Sequence, residues 1–264
     1  SMASQDLVMG IDLGTSGVRI ALIDNDKNLI HSEEINYKKG LPNAEEWAEC
    51  TEKLIEDIPK ALKKYLIACA VDGTSGTILA CDKKGRPLGE ALPYYILCEE
   101  KERRLTKINP ISHNSAQANS SLGRALRLKK IYSNHQNLLL RHQSDWITGW
   151  LLDNWEWGEE ANNLKIGWDP QRKIWPSKLT TSEWQKSLPK IVPSGTILAR
   201  ISSEKAQRLG LPEDLLIVAG TTDSNAAFIS AEVGIEDGLT ILGSTIVVKR
   251  FVKYPIKSLG VTNH

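Results

Sequence analysis

Residues 7–24 read LVMGIDLGTSGVRIALID, two apolar runs separated by four small residues. The runs predict two short strands joined at Gly14-Thr15-Ser16-Gly17. Glycine tolerates positive φ, so this junction is expected to turn tightly. A turn over Asp24-Asn25-Asp26-Lys27-Asn28 leads to a third strand near Leu29–Tyr37. Asn43, with Glu45 and Glu46 after it, predicts the start of an amphipathic helix reaching about Tyr65, kinked or interrupted at Pro59. Ile67–Asp72 is a buried-type strand ending in Gly73-Thr74-Ser75-Gly76-Thr77, and Ile78–Cys81 continues extended. Strands that precede a helix returning to another strand predict a mixed α/β sheet rather than an all-β fold.

From about Pro93 to Leu198 the texture changes. Short helical patterns (Leu122–Ile131, Asp145–Leu152) alternate with polar loops, and seven of the eight tryptophans fall here. That tryptophan set reads first as core and helix packing, ahead of a sugar-stacking platform. The stretch 93–198 is expected to be an inserted region or lid on the first sheet. Leu215–Ala219 is again a buried strand, followed by Gly220-Thr221-Thr222-Asp223 and a helix to about Glu232. Gly238–Gly243 and Thr245–Phe251 predict another strand pair around Gly243-Ser244. Leu242-Gly243-Ser244-Thr245 repeats the pattern of Leu13-Gly14-Thr15-Ser16, which suggests that a second half-fold begins near residue 239.

The 264 residues allow one large or two modest domains, and 41% apolar content can fill a sizeable core. Thirty-three Lys+Arg nearly cancel 32 Asp+Glu, so charge gives no reason to expect nucleic acid or an anionic membrane as partner. Cys50, Cys69, Cys81 and Cys98 are spaced 19, 12 and 17 apart, which fits neither a zinc site nor a disulfide framework. A reducing cytosol suits them, with a plastid as the alternative for a plant source. No apolar run is long enough for a membrane helix, and no signal segment is read at the start.

Asp12 ends a strand and directly precedes a loop of small hydroxyl-bearing residues. Such a loop can aim N–H groups and hydroxyls at phosphate, and a carboxylate beside it can hold Mg²⁺ through water. Taken alone, an ordinary hairpin with an aspartate at its turn is the simpler reading. Asp223 follows a strand and opens a helix, at the sheet edge where α/β folds bind ligands. It can cap that helix or accept the proton of a substrate hydroxyl, and the two roles are compatible. Gly73 and Gly76 are three apart, so Ser75 is no hydrolase elbow. No GxxxxGK[ST] is present, and the five histidines form no HExxH.

Taken in order, GIDLGTSGVRIALID, VDGTSGT, QSDWITGWL, ANNLKIGWD, AGTTDSNAAF and LGSTIVV resemble the FGGY carbohydrate kinases. Within them the similarity is greatest to ribulose/xylulose kinase-like proteins of cyanobacteria and plants. The resemblance spans residues 7 to 251 and implies an actin-like ATPase (ribonuclease H-like) α/β fold, a mixed sheet flanked by helices. It implies a sugar-binding domain over 7–236 and, over 237–264, the first hairpin of an incomplete nucleotide-binding domain. Carried onto this chain, Asp223 matches the catalytic base, and Asp12 the carboxylate near Mg²⁺ and sugar. Gly14, Thr15 and Ser16 match the first phosphate-facing hairpin; Gly243, Ser244 and Thr245 match the second. Ser75 and Gly76 match a sugar-contacting position. The implied activity is ATP- and Mg²⁺-dependent phosphorylation of a ketopentose, D-ribulose first and D-xylulose second.

Two departures stand out. Gly73-Thr74-Ser75-Gly76 replaces the Gln-Met-His-Gly of many xylulose kinases, and Pro93-Tyr94-Tyr95-Ile96-Leu97-Cys98 replaces a frequent Trp-x-Asp-x-Arg element. The later adenosine-binding glycines have no counterpart, so residues 1–264 by themselves are expected to be inactive. The apolar 239–251 hairpin is expected to lack the sheet it should join, and so to be disordered or to pair with a second copy in a homodimer. Two other readings are a sugar-binding or regulatory module without turnover, and an actin-like ATPase of the chaperone or filament type. The GTTD motif counts against the last.

Overall fold

The computed structural model describes residues 5–26, 28–97 and 121–220, together with the backbone of strands 239–242 and 245–248. Strands β1 (Leu7–Leu13), β2 (Gly17–Asp24) and β3 (Leu29–Asn36) form an antiparallel meander. Helix α1 (Ala44–Glu56) follows, then one turn of helix, α2 (Lys60–Lys63), before β4 (Leu66–Asp72) and β5 (Ile78–Cys81). Pro59 is the residue that separates the two helices, standing at the N-cap of the second, as its missing N–H and fixed φ require.

Beyond the undescribed residues 98–120 come α3 (Ser121–Ile131), β6 (Leu139–His142), α4 (Gln143–Leu152), β7 (Trp157–Glu159) and α5 (Glu160–Asn163). The chain continues through α6 (Ser182–Gln185), β8 (Lys190–Val192), β9 (Thr196–Arg200), α7 (Ser203–Leu209) and β10 (Leu216–Val218). Last come β11 (Leu239–Leu242) and β12 (Thr245–Val248). The helix expected to reach Glu232 lies outside the described residues.

Eight strands make one sheet in the order β11-β12-β9-β10-β4-β1-β2-β3. β4 runs parallel to both β1 and β10, so the carboxyl ends of these three strands open on one edge. The register sets Asp12 beside Asp72 and Ala70 beside Val218. β9 pairs antiparallel to β10 and was not foreseen from its short Thr-Ile-Leu-Ala-Arg run. β12 then pairs with β9 through Ile246–Ile197 and Val247–Thr196. The hairpin that the sequence left without a sheet therefore joins the edge of the first one.

Helix α1 covers the sheet because its apolar positions recur on one face, burying Trp47, Leu54 and Ile55. Its start is doubly fixed. Asn43 Oδ1 accepts the Glu46 N–H at 3.0 Å, and the Glu46 carboxylate accepts the N–H groups of Lys38 and Lys39 at 2.7 and 2.8 Å. Helix α4 is a second part of the same layer, and its Trp146, Ile147 and Leu151 share one core with Met9, Ile11 and Trp47. So the stretch 93–198 is not a lid throughout, since α4 is a structural layer of the main sheet.

Trp47 and Trp146 meet edge to face at 6.1 Å, and each indole N–H donates to a carbonyl, Leu41 and Gly85 respectively. Trp155 also donates inward, to Trp146 O. Its ring leaves no room for a side chain at Gly85 or Gly149, where a Cβ would fall 2.2 and 2.3 Å from indole carbons. Packing, as expected, explains these tryptophans. A second, smaller core of Ile78, Leu122, Leu140 and Ile166 joins β5 and β6 to α3.

Candidate functional site

The site is built where β1 and β4 end. Asp12 and Asp72 are register partners on neighbouring strands. Asp72 is buried and accepts the N–H of Gly73 at 3.0 Å. Burial pushes the Asp12 carboxyl up to about 6, against the opposing pull of Arg19 across the strand pair. At neutral pH it is mostly ionised, and a bound cation would favour that form further.

The loop after β1 is closed by Gly14 N–H donating to Gly17 O at 2.8 Å. The glycines do not serve it as the sequence reading supposed, because neither Gly14 nor Gly17 has positive φ. Gly17 is needed for space: a Cβ there would lie 2.2 Å from Ile35 O on β3. Tyr37 steadies the loop from below, its N–H donating to Ser16 O at 2.8 Å and its hydroxyl to Gly14 O at 3.3 Å. Burial raises the phenol of Tyr37 well above its ordinary value, so this donor keeps its proton. Thr15 and Ser16 are exposed, and the Thr15 hydroxyl is 3.1 Å from that of Tyr94.

The loop after β4 is fixed from three sides. Gln143 Oε1 accepts the Thr74 N–H at 2.9 Å and the Thr74 hydroxyl at 2.7 Å. Thr77 Oγ1 accepts the Tyr94 N–H at 3.1 Å, linking this loop to the residue that meets Thr15. Arg124, wholly buried, donates to Gly76 O from Nε and Nη2 at 3.1 and 2.9 Å, and to Ile96 O from Nη1 at 3.0 Å. Gly76 has φ +93, a conformation that favours glycine. Ser75 is half-buried.

Behind that loop the segments QSDWITGWL and ANNLKIGWD fold onto each other. Asn163 donates to Asp145 at 3.2 Å and Asn162 to Ser144 Oγ at 2.8 Å. Glu159 caps α5, accepting from Ala161 N and Asn162 N, and takes the Ser194 hydroxyl at 2.6 Å. Burial raises both carboxyl groups of this pair, Asp145 and Glu159. His142 is driven down to about 3 by burial and by Arg124 and Lys165, so it stays neutral against Ser121 Oγ at 2.9 Å.

The structure thus brings Asp12, Gly14, Thr15, Ser16, Ser75 and Gly76 to one edge. Asp223, Gly243 and Ser244 lie outside the described residues, and Thr245 opens β12. Asp72, Tyr94, Gln143 and Arg124 were missed. Asp72 carried the same signal as Asp12, a carboxylate at a strand end before glycine. Arg124 carried none, since one arginine in an amphipathic helix ordinarily faces solvent. Among the described residues no group of three or more His, Cys, Asp or Glu could hold a metal, and no helix is long and apolar enough to cross a membrane.

No family model matches the chain. It is 24% identical over 269 residues to a xylulose kinase of Lactococcus lactis, covering 92% of this chain and 53% of that protein. In structure it is similar to ligand-bound xylulose kinase from Lactobacillus acidophilus, with a TM-score of 0.70, 17% identity and coverage of 83% and 48%. A gluconate kinase from the same organism matches with a TM-score of 0.70 and 16% identity, over 83% of this chain and 49% of that one. The fold is that of the FGGY-family carbohydrate kinases. The chain spans about half the length of the relatives it matches.

Proposed function

We propose, from this kinship with xylulose kinases, that the chain is the sugar-binding half of an ATP-dependent ketopentose kinase. Asp12 and Asp72 carry the reading: two carboxylates held in register where two small-residue loops open on the same edge. Mg²⁺ prefers oxygen ligands and binds few carboxylates together with phosphates and water, which fits Asp12 with Asp72 beside it. Exposed Thr15 and Ser16 would meet phosphate on the near side, completed by Gly243, Ser244 and Thr245. Ser75 and Gly76 would meet the sugar.

Asp223 would take the proton from the terminal sugar hydroxyl. The oxygen then bonds to the γ-phosphorus while the bond to the ADP oxygen breaks. D-ribulose ranks ahead of D-xylulose on the Gly73–Gly76 loop, while the names of the relatives favour D-xylulose. The cytosol, and no nucleic-acid or membrane partner, suit such an enzyme. Calorimetry of the chain with both ketopentoses, beside Asp12→Asn, is the test. Binding abolished or strongly weakened by the substitution supports the reading; absence of binding, or equal binding by both proteins, overturns it.

A further inference from the structure

A groove of about 470 Å³ is walled by the turn after β5, by β6, by the 153–156 turn and by the chain that follows α6. None of its lining residues belongs to the loops 14–17 or 73–76. Arg141 lines it and is 2% exposed. Its Nε donates to Trp155 O at 2.6 Å, and its Nη1 to Leu140 O and Ser187 O at 2.7 and 2.8 Å. Trp155 and the residues on either side of Ser187 line the groove as well, so the guanidinium sits between two of its walls. Nη2 has no acceptor among the described residues, and it is not sealed from solvent. No carboxylate among those residues is within ion-pairing distance of Arg141; Asp145 and Glu156 act on it from farther off. Burial lowers the guanidinium to about 10, so at neutral pH it is a buried cation with no counter-charge in contact. Such a charge is costly, and an anion in the groove would offset the cost.

Lys83 and Lys186, both exposed, line the groove from two further segments and make no ion pair among the described residues. Its two carboxylates are engaged elsewhere: Glu156 pairs with Lys190 at 3.5 Å, and the charge of Asp153 supports that of Lys205. The surplus in the groove is therefore positive. A planar carboxylate is best matched by both arms of a guanidinium, and here one arm is already taken. One Nη2 and two ammonium groups from three segments suit a tetrahedral anion instead. Buried Leu139 and Leu188 leave an apolar floor for an organic body, and the volume is that of a small-molecule site. We infer that this groove is a second ligand site, one that takes a small phosphate monoester with its phosphate held by Arg141, Lys83 and Lys186. The inference is independent of the sugar-kinase reading.

Calorimetric titration with D-ribose 5-phosphate and with inorganic phosphate tests it. The wild-type chain binds both, phosphate displaces the ester, and D-ribose without phosphate does not compete. Lys83→Glu and Lys186→Glu each weaken the ester by at least about tenfold, since each removes a charge-assisted contact and adds a repulsion. Both lysines are exposed, so these variants keep the fold, whereas Arg141→Met would also strand three carbonyls. Lys178→Glu, the same charge change at an exposed lysine outside the groove, shifts the affinity by less than about twofold. Thr15→Val, on the exposed first loop, leaves it as it was. Failure of the wild-type chain to bind the ester overturns the inference, as does displacement by D-ribose. So does full affinity in the Lys83 and Lys186 variants, an equal loss in Lys178→Glu, or a loss confined to Thr15→Val.

Discussion

Gly14-Thr15-Ser16-Gly17 and Gly73-Thr74-Ser75-Gly76 are the same tetrapeptide, each at the carboxyl end of one of two adjacent strands. Their surroundings make them unlike. In the first, Thr15 and Ser16 face solvent and the backbone is steadied by Tyr37. In the second, Thr74 is tied to Gln143 and Thr77, and Gly76 is clamped by a buried arginine. Even the last glycines differ in purpose, Gly17 for a close approach of β3 and Gly76 for positive φ. The first loop keeps its polar groups available to a ligand. The second has most of its order fixed beforehand by the fold, so little entropy remains to be lost on binding.

Arg124→Met attacks the second loop and carries the largest expected effect. It strands Gly76 O and Ile96 O and should cost on the order of 3–5 kcal/mol in urea unfolding. A loss below about 1 kcal/mol would mean the clamp is ornamental. Gly17→Ala attacks the first loop through its close approach to β3, a Cβ 2.2 Å from Ile35 O. Overpacking of that kind costs about 1–3 kcal/mol, and β3 should show faster amide exchange. Retention of wild-type stability would show that β3 moves aside freely.

Asp12→Asn should act in the opposite direction. The Asp12 carboxyl is raised in the folded state, so its protonated form favours folding. That contribution is complete below the unfolded value near 3.8 and is lost as pH rises through about 6. At pH 7–8 the asparagine variant should be more stable by roughly 1–3 kcal/mol, with a flatter stability profile between pH 4 and 6. A variant less stable than wild type at pH 8 would refute the assigned direction. Gain of stability with loss of ligand binding is the trade expected of a functional carboxylate. Smallest is Tyr94→Phe, which removes the hydroxyl joining Thr15 to the second loop. Its unfolding free energy should change by less than about 1 kcal/mol, and a larger change would make Tyr94 a structural strut of both loops.

The sheet was legible where apolar runs were long and bounded by turn residues, as for β1, β2 and β4. β9 was not, because five residues after Pro193-Ser194-Gly195 carry too short a pattern to separate from a loop. Helix α4 was seen but misplaced as part of a lid, since periodicity gives the apolar stripe of a helix and not its partner. At the site, Asp12, Thr15, Ser75 and Gly76 could be picked out by position and residue type. The supports could not. Gln143, Arg124 and Tyr94 act from elements far along the chain, and their contacts exist only once β5, β6 and α3 have packed.

The indole cluster of Trp47, Trp146 and Trp155 has an optical consequence. All three rings are buried in the layer that α1 and α4 share over the sheet, with their N–H groups on fixed carbonyls. With the Trp47 and Trp146 rings locked at 75° to each other, this asymmetric interior should give a strong near-ultraviolet dichroism band. That band reports side-chain locking in this layer, separately from the far-ultraviolet signal of helix and strand. The chain therefore carries its own spectroscopic gauge, which tells a loosened interior from an unfolded one without any added label.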